Sequence, residues 1–250
     1  MFVERLKDMF LRRFVSQLNT ILEYPVLLKT FAKKDVRGFM KDLLLINKRL
    51  NFIPKTILDV GAARGQWSQA ARMVFPNAQI YGFEPVKKSF LMLQQRMEGD
   101  HLFGAFNCAL SDENAKRSFG LNDFPDSSSL LKMTENHKQE FKQTEKEQEI
   151  IIDSFRLDGF REINIAAPAF IKMDVQGAEL LVLRGAEKIL DKIAGIQLEL
   201  NFETFYESQA TYNEVFDFMY AHNYKRFFQI GLLESLNTNN ILSCDLVFLR

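Results

Sequence analysis

Phe2, Leu6, Met9, Phe10, Phe14, Leu18, Ile21 and Leu22 recur at steps of three and four. That spacing predicts one apolar helix face, ended or kinked by Pro25. A second helix is expected from Asp35, a suitable N-cap, carrying Val36, Phe39, Met40, Leu43, Leu44 and Leu50. Residues 51–55, with Pro54, read as a linker. From Thr56 the pattern changes to short apolar runs alternating with helical spacings. Strands are expected at 56–60, 79–83, 103–110, 170–174, 195–200, 225–230 and 242–249. Helices are expected at 66–75, at 85–97 with Pro85 in the first turn, at 178–193 and at 211–222. Such alternation means a mostly parallel sheet covered on both faces. No long helix separates the last two strands, so the final strand is expected to run antiparallel.

The stretch 111–168 breaks the alternation. It holds Ser127–Leu130, a very polar run over 134–149, and then Ile150, Ile151 and Ile152. It reads as an insertion with short strands and a solvated helix or loop, placed to shape a substrate site over the carboxyl edge of the sheet. The expected organisation is a basic helical extension over 1–50 and one catalytic domain over 51–250 carrying that insertion.

Charge refines this division. The chain of 250 residues has 32 basic and 32 acidic side chains. Residues 1–50 hold 11 basic and 5 acidic residues, and the remainder holds 21 and 27. A neutral total argues against a nucleic-acid partner, which would need a basic excess. The basic head suits contact with an anionic membrane surface, or dimerisation, or simple packing as an amphipathic cap. Two cysteines, Cys108 and Cys244, are too few for a disulfide scaffold. No apolar run approaches the roughly 20 residues of a membrane span, and the first residues lack a signal core, so a cytoplasmic location is expected.

The segment 57–68, Ile-Leu-Asp-Val-Gly-Ala-Ala-Arg-Gly-Gln-Trp-Ser, runs a buried strand into a glycine turn that opens a helix. Gly61 permits a sharp turn, and Gly65 permits close approach of a ligand or of helix to strand. Asp59, ahead of the first glycine, suits a ligand with a cationic end. Glu84 ends the next strand, where a carboxylate can accept ribose hydroxyls, and Pro85 follows it. Asn107 to Asp112 ends the third strand and would line an adenine pocket, with Asn107 and Ala109 in contact. The glycine spacing is not the three-glycine pattern that seats a dinucleotide pyrophosphate. Acid and glycine turn, ribose acid and adenine strand, in that order, favour S-adenosylmethionine over NAD.

With these residues in view, the chain resembles the FkbM family of S-adenosylmethionine-dependent methyltransferases. The resemblance rests on Leu58–Ala62 with Gly65 and Ser68, Phe83–Pro85, Asn107–Asp112, Ser127–Leu130, Leu157–Asp158, Ile171–Leu180, Leu183–Ala186 and Gln197–Leu200. It implies the Rossmann-like class I methyltransferase fold, an α/β sheet of seven strands with an antiparallel last strand, and usually O-methylation of sugars or polyketide-type hydroxyls. The family usually has Asn where this chain has Ala63, and Glu where it has Gln176. The basic head lies outside the resemblance.

The expected cofactor contacts are Asp59, Gly61, Ala62, Gly65, Trp67, Glu84, Pro85, Asn107, Ala109 and Asp174. Asp174, at the carboxyl end of the fourth main strand, is the expected positioning group or general base. Lys172 points the same way and would pair with it or stabilise an alkoxide. Glu199 and Asn201 share one side of the fifth strand and would support Asp174 or bind substrate hydroxyls. Ser128, Ser129 and Glu179 are further candidates for the acceptor site; an ordinary polar turn for the serines, and a helix N-terminal acid for Glu179, stand beside that reading. Asp174, Glu199 and Asn201 would also suit magnesium, but no metal is assigned. His101, His137 and His222 lack ligand spacing and read as structural. Two other classes stay open: a nucleotide-dependent oxidoreductase, and a binding domain of the same fold that has lost turnover.

Overall fold

The computed structural model describes residues 35–122, 128–144, 147–235 and 237–250. The helix expected over residues 2–22 lies outside the described residues. Seven strands form the main sheet: β1 (Thr56–Val60), β2 (Gln79–Phe83), β3 (Phe103–Phe106), β7 (Ala169–Met173), β8 (Ile193–Asn201), β9 (Arg226–Glu234) and β10 (Ile241–Leu249). Their order is β3-β2-β1-β7-β8-β10-β9. The first five run parallel, and β10 inserts antiparallel between β8 and β9. This is the Rossmann-like sheet of seven strands with an antiparallel last strand that the resemblance implies. The order reverses between β1 and β7, which opens a crevice at the carboxyl ends of these strands.

Every residue of β1 and of β7 is buried. Period-two geometry sends their alternate side chains to opposite faces. Leu58, Ile171 and Phe248 join one core, with helices α5 (Glu179–Gly185) and α6 (Tyr212–Ala221) over it. Ile57, Phe170 and Val247 join the other, under α1 (Arg37–Arg49) and α2 (Gln66–Val74). The apolar runs therefore reflect burial on both sides. Helix α1 contributes Met40, Leu43 and Ile46 to this core, and its Arg49 guanidinium lies 4.9 Å from the Phe228 ring centre. The boundary expected at residue 50 thus falls inside a shared core. Among the described residues no helix is long and apolar enough to cross a membrane.

Several expected boundaries move, the strand expected over 225–230 running on to Glu234, and four of the shifts have a plain local reason. Asp35 is not the N-cap of α1; Val36 is, without a side-chain cap, because the Asp35 carboxylate pairs with Arg96 at 2.7 Å. Helix α3 (Lys87–Arg96) starts after Pro85, since the Val86 N–H is taken by the Glu84 carboxylate at 2.8 Å. The strand expected over 103–110 divides in two. Asn107 donates to the carbonyls of Glu84 and Pro85, both at 2.9 Å, and turns the chain out of the main sheet. The helix expected over 178–193 stops at Gly185, where a side chain would overlap the Ser111 carbonyl, and a 3-10 turn over Glu187–Lys192 follows.

The chain leaving at Asn107 starts a second sheet, β4-β6-β5, made of β4 (Ala109–Leu110), β5 (Ala115–Asn122) and β6 (Glu147–Phe155). Its Ala109, Phe119 and Ile152 pack on Val86. A short helix, α4 (Glu135–Glu140), follows in the insertion, capped by the Thr134 hydroxyl. Met133 there packs with Phe205, Tyr206 and Leu242, tying the insertion to the loop after β8.

Candidate active site

A cleft lies at the reversal point of the sheet. Its floor is the turn after β1, with Gly61, Ala62 and Ala63, and the start of α2, with Gln66 and Trp67. Glu84, Pro85 and Val86 form one wall. Lys172, Asp174 and Gln176 form the other, beyond β7. The second sheet contributes Ala109 and Phe119, the insertion also Ser128 and Leu130, and α1 contributes Phe39.

The turn holds its shape through backbone strain balanced by packing. Gly61 adopts φ +74°, and a Cβ there would overlap the Asp174 carbonyl oxygen. Glycine is thus what lets the β1 and β7 ends touch. At Gly65, φ +79°, a Cβ would come within 2.7 Å of Leu93 Cδ1, so the close approach is between α2 and α3. Ala63 is also left-handed, at φ +47°. Asn adopts that conformation more readily than Ala. The function of the turn here is carried by the main chain: the Ala63 N–H donates to Glu84 Oε2 at 2.9 Å.

Glu84 accepts from the Ala63 and Val86 N–H groups, one on each oxygen. Even so, burial pushes its carboxyl up to about 7. Both oxygens keep lone pairs, and the residue lines the cleft, which suits hydroxyl donors from a ribose. Asn107 does not line the cleft; it holds the backbone of Glu84 and Pro85 from behind.

Asp59 also stands away from the cleft wall. It is fully buried, accepts the Ser68 hydroxyl at 2.6 Å, and lies 3.3 Å from Lys172 Nζ. Its role is to seat Lys172, whose ammonium also donates to the Gly61 carbonyl at 2.9 Å. Lys172 faces two carboxylates, since Asp174 Oδ2 is 3.8 Å away. Those anions raise the lysine pKa against the opposing effect of burial. The ammonium therefore stays charged at the edge of the cleft.

Asp174 is half exposed and faces the opening. The Gln176 side chain donates to its Oδ1 at 2.8 Å. Glu199 and Asn201 share a side of β8, as period two requires, but neither lines the cleft. Glu199 accepts the Ser243 hydroxyl of β10 at 2.6 Å, and burial raises its carboxyl to about 8. Glu179 turns inward and accepts the N–H groups of Val175 and Gly177, both at 3.3 Å, so it is the helix N-terminal acid rather than a substrate contact. Ser128 lines the cleft and accepts the Asn122 N–H at 3.0 Å. Ser129 is buried behind it, donating to the Gln176 carbonyl at 2.7 Å. Among the described residues no group of three or more His, Cys, Asp or Glu is arranged to hold a metal ion.

Sequence reasoning missed Phe39 and Phe119 as parts of the site, and also Tyr206 and His137 behind it, while Leu130 and Gln176 entered only as positions of the family motifs. The apolar positions carried no signal distinguishing them from core. Tyr206 and His137 come together only through the fold, 69 residues apart.

These residues fit S-adenosylmethionine. Apolar walls from Val86, Ala109 and Phe119 suit a purine, and the Glu84 carboxylate suits the ribose. The buried Trp67 Nε1 has no protein partner among the described residues.

A family model described as the methyltransferase FkbM domain matches residues 59–226, more than half of the chain. The chain is 28% identical over 170 residues to the 2-O-methyltransferase NoeI of Sinorhizobium fredii, covering 65% of this chain and 70% of that protein. It is 27% identical over 206 residues to Methyltransferase 1 of Beauveria bassiana, covering 74% and 82% respectively. Among solved structures, EvdMO1 aligns at a TM-score of 0.47 and 13% identity, over 86% of this chain and 41% of its own.

Proposed function

The chain belongs to the FkbM methyltransferase family, and from that premise we propose that it methylates a hydroxyl group of a sugar, glycan or other small molecule. The cofactor of this family is S-adenosylmethionine, which supplies a methyl group already activated on a sulfonium. The observation that carries the oxygen reading is the placement of Asp174 and Lys172 together at the carboxyl end of β7, on the cleft wall facing Glu84. The name of the NoeI relative, a 2-O-methyltransferase, points the same way.

What the protein must add is alignment and a place for the acceptor's proton. Glu84 and the turn at Gly61–Ala63 hold the cofactor side. Asp174 Oδ2 takes the proton that the acceptor hydroxyl gives up. Lys172, seated by Asp59, steadies charge developing on the acceptor oxygen. Phe39, Phe119 and Leu130 offer apolar contact to the acceptor or to the purine and exclude water.

The test is transfer of labelled methyl from S-adenosylmethionine into a panel of sugars, nucleotide sugars and cell-envelope glycan extracts, beside calorimetric binding of the cofactor, its demethylated product and NAD. The expected result is label in a base-stable methyl ether and binding of the first two ligands. Glu84→Ala should weaken cofactor binding, and Asp174→Ala should mainly lower the rate. Label only in an amine or thiol, or binding of NAD alone, would overturn the proposal.

A further inference from the structure

Gln176 stands at the cleft wall with its backbone in the left-handed region, φ +54°. Its main chain is pinned there, because the Ser129 hydroxyl donates to its carbonyl at 2.7 Å. The two ends of its side-chain amide differ chemically, and each meets a group that suits it. Nε2 donates to Asp174 Oδ1 at 2.8 Å. Oε1 accepts the Tyr206 hydroxyl at 3.0 Å.

Tyr206 is itself fixed. It is buried, packed among Met133, Phe205 and Leu242, and its ring centre lies 5.1 Å from that of His137. His137 Nε2 stands 3.3 Å from the same phenol oxygen. On the far side, Nδ1 is 3.2 Å from the Thr144 hydroxyl, and that hydroxyl donates to the Phe141 carbonyl at 2.7 Å. The Thr144 oxygen therefore accepts from Nδ1–H, and neutral His137 offers a lone pair at Nε2. Its burial favours the neutral ring. The phenol has a single proton, and it goes to the nearer acceptor, Gln176 Oε1 at 3.0 Å, rather than to His137 Nε2 at 3.3 Å. Asp174, when ionised, is an acceptor only, so the amide turns its nitrogen to the carboxylate and its oxygen to the phenol.

We infer that Gln176, anchored by Tyr206, is the positioning residue for Asp174: it occupies Oδ1 with an N–H donor and leaves Oδ2, the oxygen beside Lys172, to take the acceptor's proton. The inference rests on the reading of Asp174 as the group that receives that proton. An amide performs this task at any pH. A carboxylate in its place would donate to Asp174 only when protonated, and would otherwise repel it. The insertion and the loop after β8 reach the reacting centre through this chain, although neither carries a group that touches the acceptor oxygen by this route.

The experiment compares Gln176→Glu, Gln176→Met and Tyr206→Phe with the native chain, using the acceptor that takes label in the panel above. Gln176→Met should lower kcat about tenfold at every pH, with cofactor binding retained. Gln176→Glu should match the native rate at low pH and lose it as the new carboxyl ionises, a limb absent from the native profile. Tyr206→Phe should lower kcat less, with no further loss in the Gln176→Met background. An independent readout needs no acceptor: the side-chain amide NMR signal of Gln176, identified by its disappearance in Gln176→Met. It should move toward the free-glutamine position in both Asp174→Asn and Tyr206→Phe. A Gln176→Glu rate parallel to native across pH, or an amide signal indifferent to both substitutions, overturns the inference. If Asp174→Ala leaves transfer intact while the amide signal responds as expected, the proton-acceptor reading fails, and the inference falls with it, although the hydrogen bonds stand.

Discussion

Asp59 and Lys172 face each other as register partners across the parallel β1–β7 pair, 3.3 Å apart and both buried. Neither carboxylate nor ammonium is tolerable there alone. Burial raises the Asp59 pKa, and the lysine beside it is the largest influence pulling it back. The pair sits directly beneath the glycine turn, so one ion pair joins the fold's central strands to the cofactor loop.

Replacing one member alone should cost more than replacing both. Lys172→Met leaves Asp59 as an uncompensated buried charge and should destabilise the protein by about 3–5 kcal/mol. Adding Asp59→Asn to that variant should restore much of the loss. Chemical denaturation of the single and double variants checks this, and equal loss in both would refute the coupling.

The cofactor turn should tolerate the two left-handed positions differently. Gly61→Ala combines a disfavoured backbone with overlap on the Asp174 carbonyl, so a large loss of stability and of cofactor binding is expected. Ala63→Asn places a residue suited to φ +47° with no loss of the N–H to Glu84. It should stabilise the protein by about 0.5–1 kcal/mol, read as a rise in Tm.

Buried carboxyls set a pH dependence of stability. Burial raises Glu84 and Glu179 to about 7, Glu199 to about 8 and Asp245 to about 6. A raised folded pKa means that the native state binds more protons than the unfolded chain. Stability from these groups is therefore full below the ordinary carboxylate range and is lost as pH rises through about 6 to 8. His137 acts in the opposite direction, because its lowered pKa makes falling pH unfavourable below the ordinary histidine value. Four carboxyls against one imidazole predict that Tm of the ligand-free protein is higher near pH 5.5 than at pH 8.5. Glu199→Gln should narrow that difference, raising Tm at the alkaline end; a Tm profile unchanged by the substitution would count against the burial argument.

Helix α1 should prove inseparable from the catalytic body. Met40, Leu43 and Ile46 are fully buried against Ile57, Ala70 and Val247. Leu43→Ala should cost about 2–5 kcal/mol, as a core truncation does. A cost of only a few tenths would mean that α1 is an independent appendage.

Much of this was written in the sequence. Short apolar runs with intervening helical spacings located β1, β2, β7, β8 and β10 to within a residue or two, because strands buried on both faces leave little freedom of composition. The glycine turn, Glu84, Lys172 and Asp174 were legible because their chemistry follows from position at a strand end. What the sequence could not supply was direction and partnership. Asp59 looks like a cofactor ligand on the line of sequence, yet register places it opposite Lys172. Glu179 and Ser129 look like substrate contacts, yet they satisfy backbone groups at the 175–177 turn. The strand expected through Asn107 splits because that side chain finds carbonyls from another strand end. Tyr206 and His137 join Asp174 through Gln176 only after the insertion folds against the loop beyond β8. Local patterning is set by each residue's own neighbours along the chain, whereas a hydrogen bond or ion pair is decided by which distant groups packing brings within about 3 Å.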